Sequence, residues 1–269
     1  MIKLIAIDLD GTLLDNQKRI SARNKLALKQ AKEKGIKIVL CTGRPLRAIE
    51  PFLEELDLLN EGDFSITFNG GLVQKNDTGE VIERAALDVA DIHTLVDLAK
   101  ELDLPMDVLS QDTVIILNPS EKHLTLYPEM SPLLNREEGI ASELVEGRLY
   151  NKVVVAYHPE YLDQQIQKIP DVIKEAYEVI KTRENLLEFM PKGITKAYGI
   201  SLLAKDLGIT VDEVMCIGDE ENDLPMIEYA GIGVAMANAI PRVKEIADVV
   251  TASNEEDGVA QVIEKYVLQ

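Results

Sequence analysis

The sequence predicts an α/β protein in which a parallel-sheet domain is interrupted by a smaller α+β domain. Short apolar runs alternate with helical patterns near both ends of the chain, which is typical of a parallel sheet with right-handed crossovers. In the middle of the chain the apolar runs come in pairs, which favours antiparallel strands mixed with helices. We therefore assign residues 1–83 and 191–269 to a discontinuous core domain and residues 84–190 to an inserted domain.

The first third of the chain alternates strands and helices before a hairpin. Buried strands are predicted at the apolar runs 4–7, 36–41 and 64–68. Ser21 can cap a helix that runs to Lys34, and Gly35 can end it. Pro45 fits the first turn of a second helix, which extends through Leu56. Residues 72–74 and 80–83 flank a turn sequence and predict a hairpin.

The middle of the chain has the pattern of a separate α+β unit. Apolar residues from Ile92 to Leu102 recur at helical spacing, and a further helix is predicted from Pro159 through Ile169. Strands are predicted at 106–109, 114–117, 153–157, 178–182 and 186–190. The stretch 118–148 is polar, and its pattern assigns no element.

The strand and helix alternation returns after residue 190. Helices are predicted at 196–207, 224–230, 241–247 and 258–267, and strands at 214–217, 233–236 and 248–251. The first and last thirds should therefore build one sheet. Ligands bind beyond the carboxyl ends of the strands in such sheets, so the turns there should converge.

Composition excludes several classes of partner. The net charge of −19 over 269 residues argues against nucleic acid and anionic membranes, which require clustered Lys and Arg. Without a transmembrane run or a leader pattern, we expect a cytoplasmic protein. Cys41 and Cys216 end predicted core strands and should be inert buried thiols. The three histidines are scattered, and we interpret them as surface residues.

Polar clusters follow the predicted strands and carry the candidate chemistry. Asp8 and Asp10 end a buried strand, and two like charges about 4 Å apart repel by roughly 4 kcal/mol at an effective dielectric near 20. A divalent metal is the simplest compensation, and carboxylate oxygens suit Mg²⁺. The other clusters are Thr42-Gly43-Arg44, the turn 192–196 with Lys196, and Gly218–Asp223. Their hydroxyl, amide and lysine groups suit a phosphoryl group, which indicates phosphoryl transfer.

These motifs resemble, in order and setting, the four-motif signature of the haloacid-dehalogenase-like (HAD) phosphatases. The matching segments are Asp8-x-Asp10-Gly11-Thr12, Thr42-Gly43-Arg44, Lys196 and Gly218-Asp219-x-x-Asn222-Asp223. The resemblance implies a Rossmann-like core with an inserted α+β type-2 (C2) cap domain that closes over the site. Asn69-Gly70-Gly71, Gly193–Lys196 and Gly233–Ala239 are similar to the Cof-type subfamily, and bacterial sugar phosphatases are the nearest resemblance.

The resemblance also assigns roles to the matching residues. Asp8 would be the nucleophile that forms an aspartyl-phosphate, and Asp10 would be the acid–base group. Mg²⁺ would bind Asp8, the backbone carbonyl of Asp10, and Asp219. The remaining positions would serve the phosphoryl group: Thr42, the Gly43 amide, Lys196 and Asn222 by binding it, and Asp223 by orienting Lys196 or a metal-bound water.

Several alternatives remain open at this stage. Thr42 and Asp223 could be helix caps, Arg44 could pack or pair structurally, and Glu220 and Glu221 could be a solvated face. The expected partner is a small phosphorylated metabolite, first a sugar phosphate and then pyridoxal phosphate or flavin mononucleotide. A phosphomutase and a non-catalytic phosphate-binding regulator are the competing functions, and a true dehalogenase is disfavoured. We expect a monomer or weak homodimer.

Overall fold

The structure is a computed structural model that describes residues 1–120 and 122–269. The chain forms two compact units. Unit 1 comprises Met1–Arg44, Ile49–Arg84 and Thr195–Gln269, and unit 2 comprises Pro45–Ala48 and Ala85–Ile194. The short segment Pro45–Ala48 groups with unit 2 although it directly follows Arg44, and no sequence pattern indicated this.

The described residues contain strands and helices with the following bounds. The strands are β1 Leu4–Ile7, β2 Lys37–Cys41, β3 Phe64–Thr67, β4 Leu72–Lys75, β5 Val81–Arg84, β6 Asp107–Ser110, β7 Thr113–Ile116, β8 Asn135–Glu138, β9 Lys152–Ala156, β10 Tyr177–Arg183, β11 Leu186–Pro191, β12 Val214–Gly218, β13 Ile232–Ala235 and β14 Val249–Val250. The helices are α1 Ala22–Glu33, α2 Glu50–Glu55, α3 Val89–Glu101, α4 Tyr127–Met130, α5 Pro159–Ile166, α6 Asp171–Ala176, α7 Lys196–Asp206, α8 Leu224–Tyr229, α9 Pro241–Ile246 and α10 Gly258–Tyr266.

Unit 1 is built on a sheet with the order β14-β13-β12-β1-β2-β3-β4-β5. Neighbours from β14 to β3 run parallel, and the β3–β4–β5 edge is antiparallel. Every residue of β1 and β12 is buried, as expected for central parallel strands covered on both faces. The predicted parallel core is confirmed, and its central strands end at the candidate motifs.

Unit 2 contains a sheet with the order β10-β11-β9-β6-β7-β8. Its pairs are antiparallel except for β7 with β8, which are parallel. The helical stripe predicted from Ile92 to Leu102 packs in an apolar core with Val108, Val153 and Phe189 of the strands. Unit 2 is therefore an α+β unit, as the paired apolar runs predicted.

Local predictions failed where apolar periodicity was weak. The helix predicted from Pro45 through Leu56 is a 3-10 turn at Leu46–Ala48 followed by α2. The helix from Pro159 ends at Ile166, and α6 follows it unpredicted. The unassigned stretch 118–148 contains α4 and β8, and Glu121 within it lies outside the described residues. Strand β8 lacked a signal because all of its residues are exposed.

The histidine prediction was right for His93 and His158, which are exposed, and wrong for His123. His123 is half-buried, and its Nδ1 lies 2.7 Å from the Tyr157 hydroxyl. In the part of the chain that the structure describes, no helix is both long and apolar enough to cross a membrane. Both cysteines are free and buried, as predicted, and burial raises the pKa of the Cys41 and Cys216 thiols.

We expect Cys41 and Cys216 of the native protein to resist alkylation at pH 8, because buried thiols with a raised pKa form little thiolate. Iodoacetamide labelling followed by intact-mass measurement checks this. Complete labelling in denaturant is the control, and rapid labelling of the native protein at either position would contradict the burial.

Candidate active site

Adjacent strand ends bring the candidate residues together in unit 1. Asp8 follows β1, Thr42 follows β2 and Asp219 follows β12, and these three strands are neighbours in the sheet. Lys196 is the first residue of α7, whose N-cap Thr195 accepts a hydrogen bond from the Tyr198 amide. The sheet topology therefore collects groups that are far apart in sequence at one edge.

Lys196 is fully buried and connects two carboxylates. Its Nζ lies 2.5 Å from Asp8 Oδ1 and 2.6 Å from Asp223 Oδ1. Burial lowers the pKa of the Lys196 ammonium, but the charges of Asp223 and Asp8 raise it by more, so the net pKa is above the ordinary lysine value. Lys196 is consequently a fixed positive charge beside Asp8 at any physiological pH.

Asp223 is held by both of its carboxylate oxygens. Oδ1 accepts from Lys196, and Oδ2 accepts from the backbone amides of Asp219 at 2.8 Å and Glu220 at 3.0 Å. Asp223 therefore pairs with Lys196, whereas it makes no side-chain cap bond at the start of α8; the Glu220 amide bond belongs to a capping box in the preceding turn. Glu220 is half-buried rather than part of a solvated face, and burial raises its pKa, whereas Glu221 is exposed.

Asp219 is fixed by contacts to the loop after β1. The Thr12 hydroxyl donates to Asp219 Oδ1 at 2.7 Å. The side-chain amide of Asn238 donates to the Gly11 carbonyl at 2.8 Å and lies 3.5 Å from Asp219 Oδ2. A side chain at position 11 would collide with Asp219, since a Cβ there would lie 2.2 Å from Oδ2. Only glycine allows this approach.

The buried carboxylates fit a divalent cation. Asp8, Asp219 and Asp223 each place one oxygen within 4.8 Å of the others. Burial raises the pKa of Asp8 although Lys196 opposes this, and burial together with the charges of Asp8 and Asp223 raises the pKa of Asp219. Lys196 therefore does not fully balance the negative charge of the ionised Asp8 and Asp219 carboxylates. Carboxylate oxygens in this arrangement suit Mg²⁺.

The Asp10 carboxylate turns to a different pair of cations. Arg44 donates to it through two nitrogens, Nε to Oδ2 at 2.8 Å and Nη2 to Oδ1 at 2.6 Å, and Lys18 Nζ lies 2.7 Å from Oδ1. The sequence left the role of Arg44 open between structural packing or pairing and substrate contact, and the structure shows a pairing with Asp10. The carboxylate of Asp10 is not in the Asp8, Asp219 and Asp223 cluster.

The remaining predicted phosphate-binding residues lie around the end of β2. Thr42 is buried, and its hydroxyl accepts from the Arg44 amide at 3.2 Å, as a turn cap does. Gly43 lies against the side chain of Asn69. Asn222 donates from Nδ2 to Asn69 Oδ1 at 3.0 Å. The structure therefore places Thr42, Gly43 and Asn222 near one another, with Asn69 between the last two.

Some residues that fix the site had weak signals or none in the sequence. Thr12 belongs to the opening motif, but its bond to Asp219 spans 207 positions. Asn69 and Asn238 occur in segments that resemble the Cof-type subfamily, and the resemblance assigns neither residue a role. Lys18 lies in a polar loop with no pattern at all. Long-range pairs of this kind become visible only when the fold is known.

Comparisons with known proteins show the family to which the chain belongs. A family model for haloacid dehalogenase-like hydrolases matches residues 5–263. The chain belongs to the haloacid dehalogenase-like hydrolases. The Bacillus subtilis (strain 168) protein named Putative phosphatase YxeH is 41% identical over 268 residues, which cover 100% of this chain and 99% of that protein.

Two further relatives extend the comparison of this hydrolase. The protein 5-amino-6-(5-phospho-D-ribitylamino)uracil phosphatase YcsE of Bacillus subtilis (strain 168) is 32% identical, over 99% of this chain and 96% of that protein. The solved structure of the HAD subclass IIB sugar phosphatase BT4131 matches with a TM-score of 0.83 and 27% identity, over 99% of this chain and 100% of that chain. The fold is therefore that of a HAD hydrolase, and a HAD-type phosphatase activity is supported.

At pH values above the pKa of Asp219, which burial raises to about 8, we expect Asp219→Asn to stabilise the metal-free hydrolase, because it removes one of the buried like charges. At about 4 Å and an effective dielectric near 20 such a pair repels by roughly 4 kcal/mol, and each kcal/mol is worth about 2–4 °C in a chain of this size. Thermal unfolding with and without Mg²⁺ checks this. Mg²⁺ should raise the unfolding midpoint of the wild type and leave that of Asp219→Asn nearly unchanged.

The raised pKa values also set the sign of the pH dependence. An unfolded carboxyl group ionises before a buried one, so metal-free stability should fall as the pH rises above the ordinary carboxyl range. Asp212→Asn, at an exposed aspartate of unit 1, is the matched control and should change neither midpoint. Equal effects of the two substitutions would contradict the account of the cluster.

Proposed function

We propose that this protein is a Mg²⁺-dependent phosphatase of small phosphate monoesters that works through an aspartyl-phosphate on Asp8. The observation that carries this proposal is the buried Lys196 ammonium joined to Asp8 and Asp223, with Asp219 beside them. A carboxylate is a weak nucleophile, so the reaction depends on positioning and on neutralised charge. The cluster supplies both.

In the first step an oxygen of Asp8 would form a bond to phosphorus while the bond from phosphorus to the substrate's alcohol oxygen breaks. Lys196 orients the Asp8 carboxylate through their 2.5 Å contact and offsets the negative charge of the phosphoryl group. Asp10 would give its proton to the departing alkoxide. Such acid–base assistance contributes about 10²–10⁴-fold.

In the second step Asp10 would take a proton from water, and the water oxygen would attack phosphorus and release Asp8. Arg44 and Lys18 contact the Asp10 carboxylate and would hold it in position for this proton transfer.

Thr42, the Gly43 amide and Asn222 would hold the phosphoryl oxygens, and Asp223 would keep Lys196 in place. Asp8, Asp219 and the backbone carbonyl of Asp10 would hold Mg²⁺. When bound, the ion would supply positive charge that neutralises the carboxylates and the phosphate. Without such charge the approach of an anionic substrate to a protein of net charge −19 is unfavourable.

For the substrate, we propose sugar phosphates first. The sugar phosphatase BT4131 supports this choice through a TM-score of 0.83, and the relative YcsE, named for a phosphoribityl compound, is the argument for a phosphorylated cofactor or its precursor.

We further propose that unit 2 is the cap domain, which would exclude water and shape the leaving-group pocket. A phosphomutase would return the phosphoryl group to its substrate. Release of inorganic phosphate therefore distinguishes a phosphatase from a phosphomutase.

We expect Asp8→Asn to abolish hydrolysis of p-nitrophenyl phosphate, because an amide cannot replace the nucleophile. Asp10→Asn should lower kcat by at least about a hundredfold, since it removes the acid–base group, while Mg²⁺ binding measured by calorimetry stays intact. Phosphate release from a panel of sugar phosphates, pyridoxal phosphate and flavin mononucleotide, with and without chelator, then identifies the substrate class. Full activity of Asp8→Asn would refute the mechanism.

We expect two substitutions around Asp10 to differ. Arg44→Gln should lower kcat about tenfold or more, since the two-nitrogen, half-buried contact orients the carboxylate. Lys18→Gln should change kcat by no more than about twofold, because exposed ion pairs contribute little. Steady-state kinetics with p-nitrophenyl phosphate measures both, and equal losses would show that Arg44 has no special part in orienting Asp10.

A further inference from the structure

The turn that follows β3 has an unusual backbone. Phe68, Asn69 and Gly70 have φ values of 51°, 54° and 98° in succession, all in the left-handed region. Asparagine tolerates this conformation better than other non-glycine residues, but it is unfavourable for a bulky aromatic residue such as Phe68. Phe68 and Asn69 are nevertheless almost completely buried. A strained turn of this kind persists only where its surroundings hold it, and such turns concentrate at functional sites.

The turn is bonded to the loop after β2. The Asn69 amide donates to the Thr42 carbonyl at 3.0 Å, and the Phe68 amide donates to the Arg44 carbonyl at 3.4 Å. The Asn69 side chain also fills the space beside Gly43, where a Cβ would lie 2.9 Å from Asn69 Oδ1. The backbone that should present the Gly43 amide to phosphate is therefore shaped by Asn69.

The same turn reaches two other parts of the site. Asn69 Oδ1 accepts the hydrogen bond from Asn222 at 3.0 Å, which fixes the direction of the Asn222 amide. Gly70 lies against the start of α7, where a Cβ at position 70 would be 1.9 Å from the Thr195 carbonyl oxygen. Lys196 is the next residue, so this close approach sets where the helix that carries it begins.

We infer that Asn69 is a positioning residue of the phosphate site: its left-handed backbone and its amide hold the Thr42-Gly43 loop and Asn222 in one arrangement. The inference rests on the proposed function, because it assigns Asn69 to the site where the phosphoryl group would bind. Asn69 acts through Gly43 and Asn222. Its removal should therefore weaken phosphate binding more than it weakens folding.

Glycine and alanine at position 69 separate a positioning role from a turn-forming role. Asn69→Gly removes the amide and keeps easy access to φ of 54°, whereas Asn69→Ala removes the amide and adds backbone strain. Asn69→Gly should unfold near the wild-type temperature, yet raise KM for p-nitrophenyl phosphate and Kd for inorganic phosphate about tenfold, the scale of one lost hydrogen bond. Asn118→Gly, at an exposed asparagine of unit 2 with φ of 42°, is the matched control.

Coupling to Asn222 provides the second readout. If Asn69 acts by holding Asn222, the double variant Asn69→Gly/Asn222→Ala should bind inorganic phosphate no more weakly than the worse single variant. Calorimetry with inorganic phosphate and Mg²⁺ measures this independently of turnover. Additive losses of phosphate affinity in the double variant would overturn the inference. Wild-type KM and Kd in Asn69→Gly, with losses only in Asn69→Ala, would also overturn it, because Asn69 would then serve only to form the turn.

The design also distinguishes this inference from the proposed function. If the wild type binds inorganic phosphate but hydrolyses no phosphate ester, the proposed activity fails, and a weaker affinity of Asn69→Gly still supports the positioning role. If the wild type hydrolyses esters and Asn69→Gly equals it in KM and Kd, the activity stands and the positioning role fails. If the wild type binds no phosphate, both fail.

Discussion

The charge balance around Lys196 is the constraint on which the rest of the site depends. Asp8, Asp219 and Asp223 bring three carboxylates into a buried cluster with one ammonium. When all are ionised, two negative charges remain uncompensated, which is the charge that one divalent cation neutralises. Burial and mutual repulsion raise the pKa of Asp8 and Asp219, which is how the metal-free protein tolerates the excess.

The fold creates this balance by topology rather than by local sequence. Parallel strands β12, β1 and β2 are neighbours, so their carboxyl ends deliver Asp219, Asp8 and Thr42 to one edge. Helix α7 starts at that edge and supplies Lys196 from its first position. The Thr12 hydroxyl donates to Asp219, and two backbone amides after β12 donate to Asp223. These bonds hold both carboxylates in place and do not involve the oxygens of Asp8. Positioned groups of this kind lose little order on binding a phosphate.

Much of this could be predicted from the sequence because Asp8, Thr42 and Asp219 each directly follow the apolar run of a strand. Asp8 and Asp219 end strands of buried residues, and a parallel sheet requires such ends to converge. The contacts of Lys18 and Asn238 could not be predicted, because Lys18 lies in a loop without periodicity and Asn238 acts on Gly11 across 227 positions. Strand β8 and helix α6 were missed since the first is fully exposed and the second has a single buried residue. The domain limits and the roles of the site residues remain predictions.

The most direct test of the charge balance is titration of the metal-free protein with Mg²⁺ by calorimetry in buffers of different ionisation enthalpy. The account predicts one ion bound per chain, with release of protons from Asp8 and Asp219 that grows as the starting pH is lowered. Absence of binding, or binding without proton release at any pH, would contradict it.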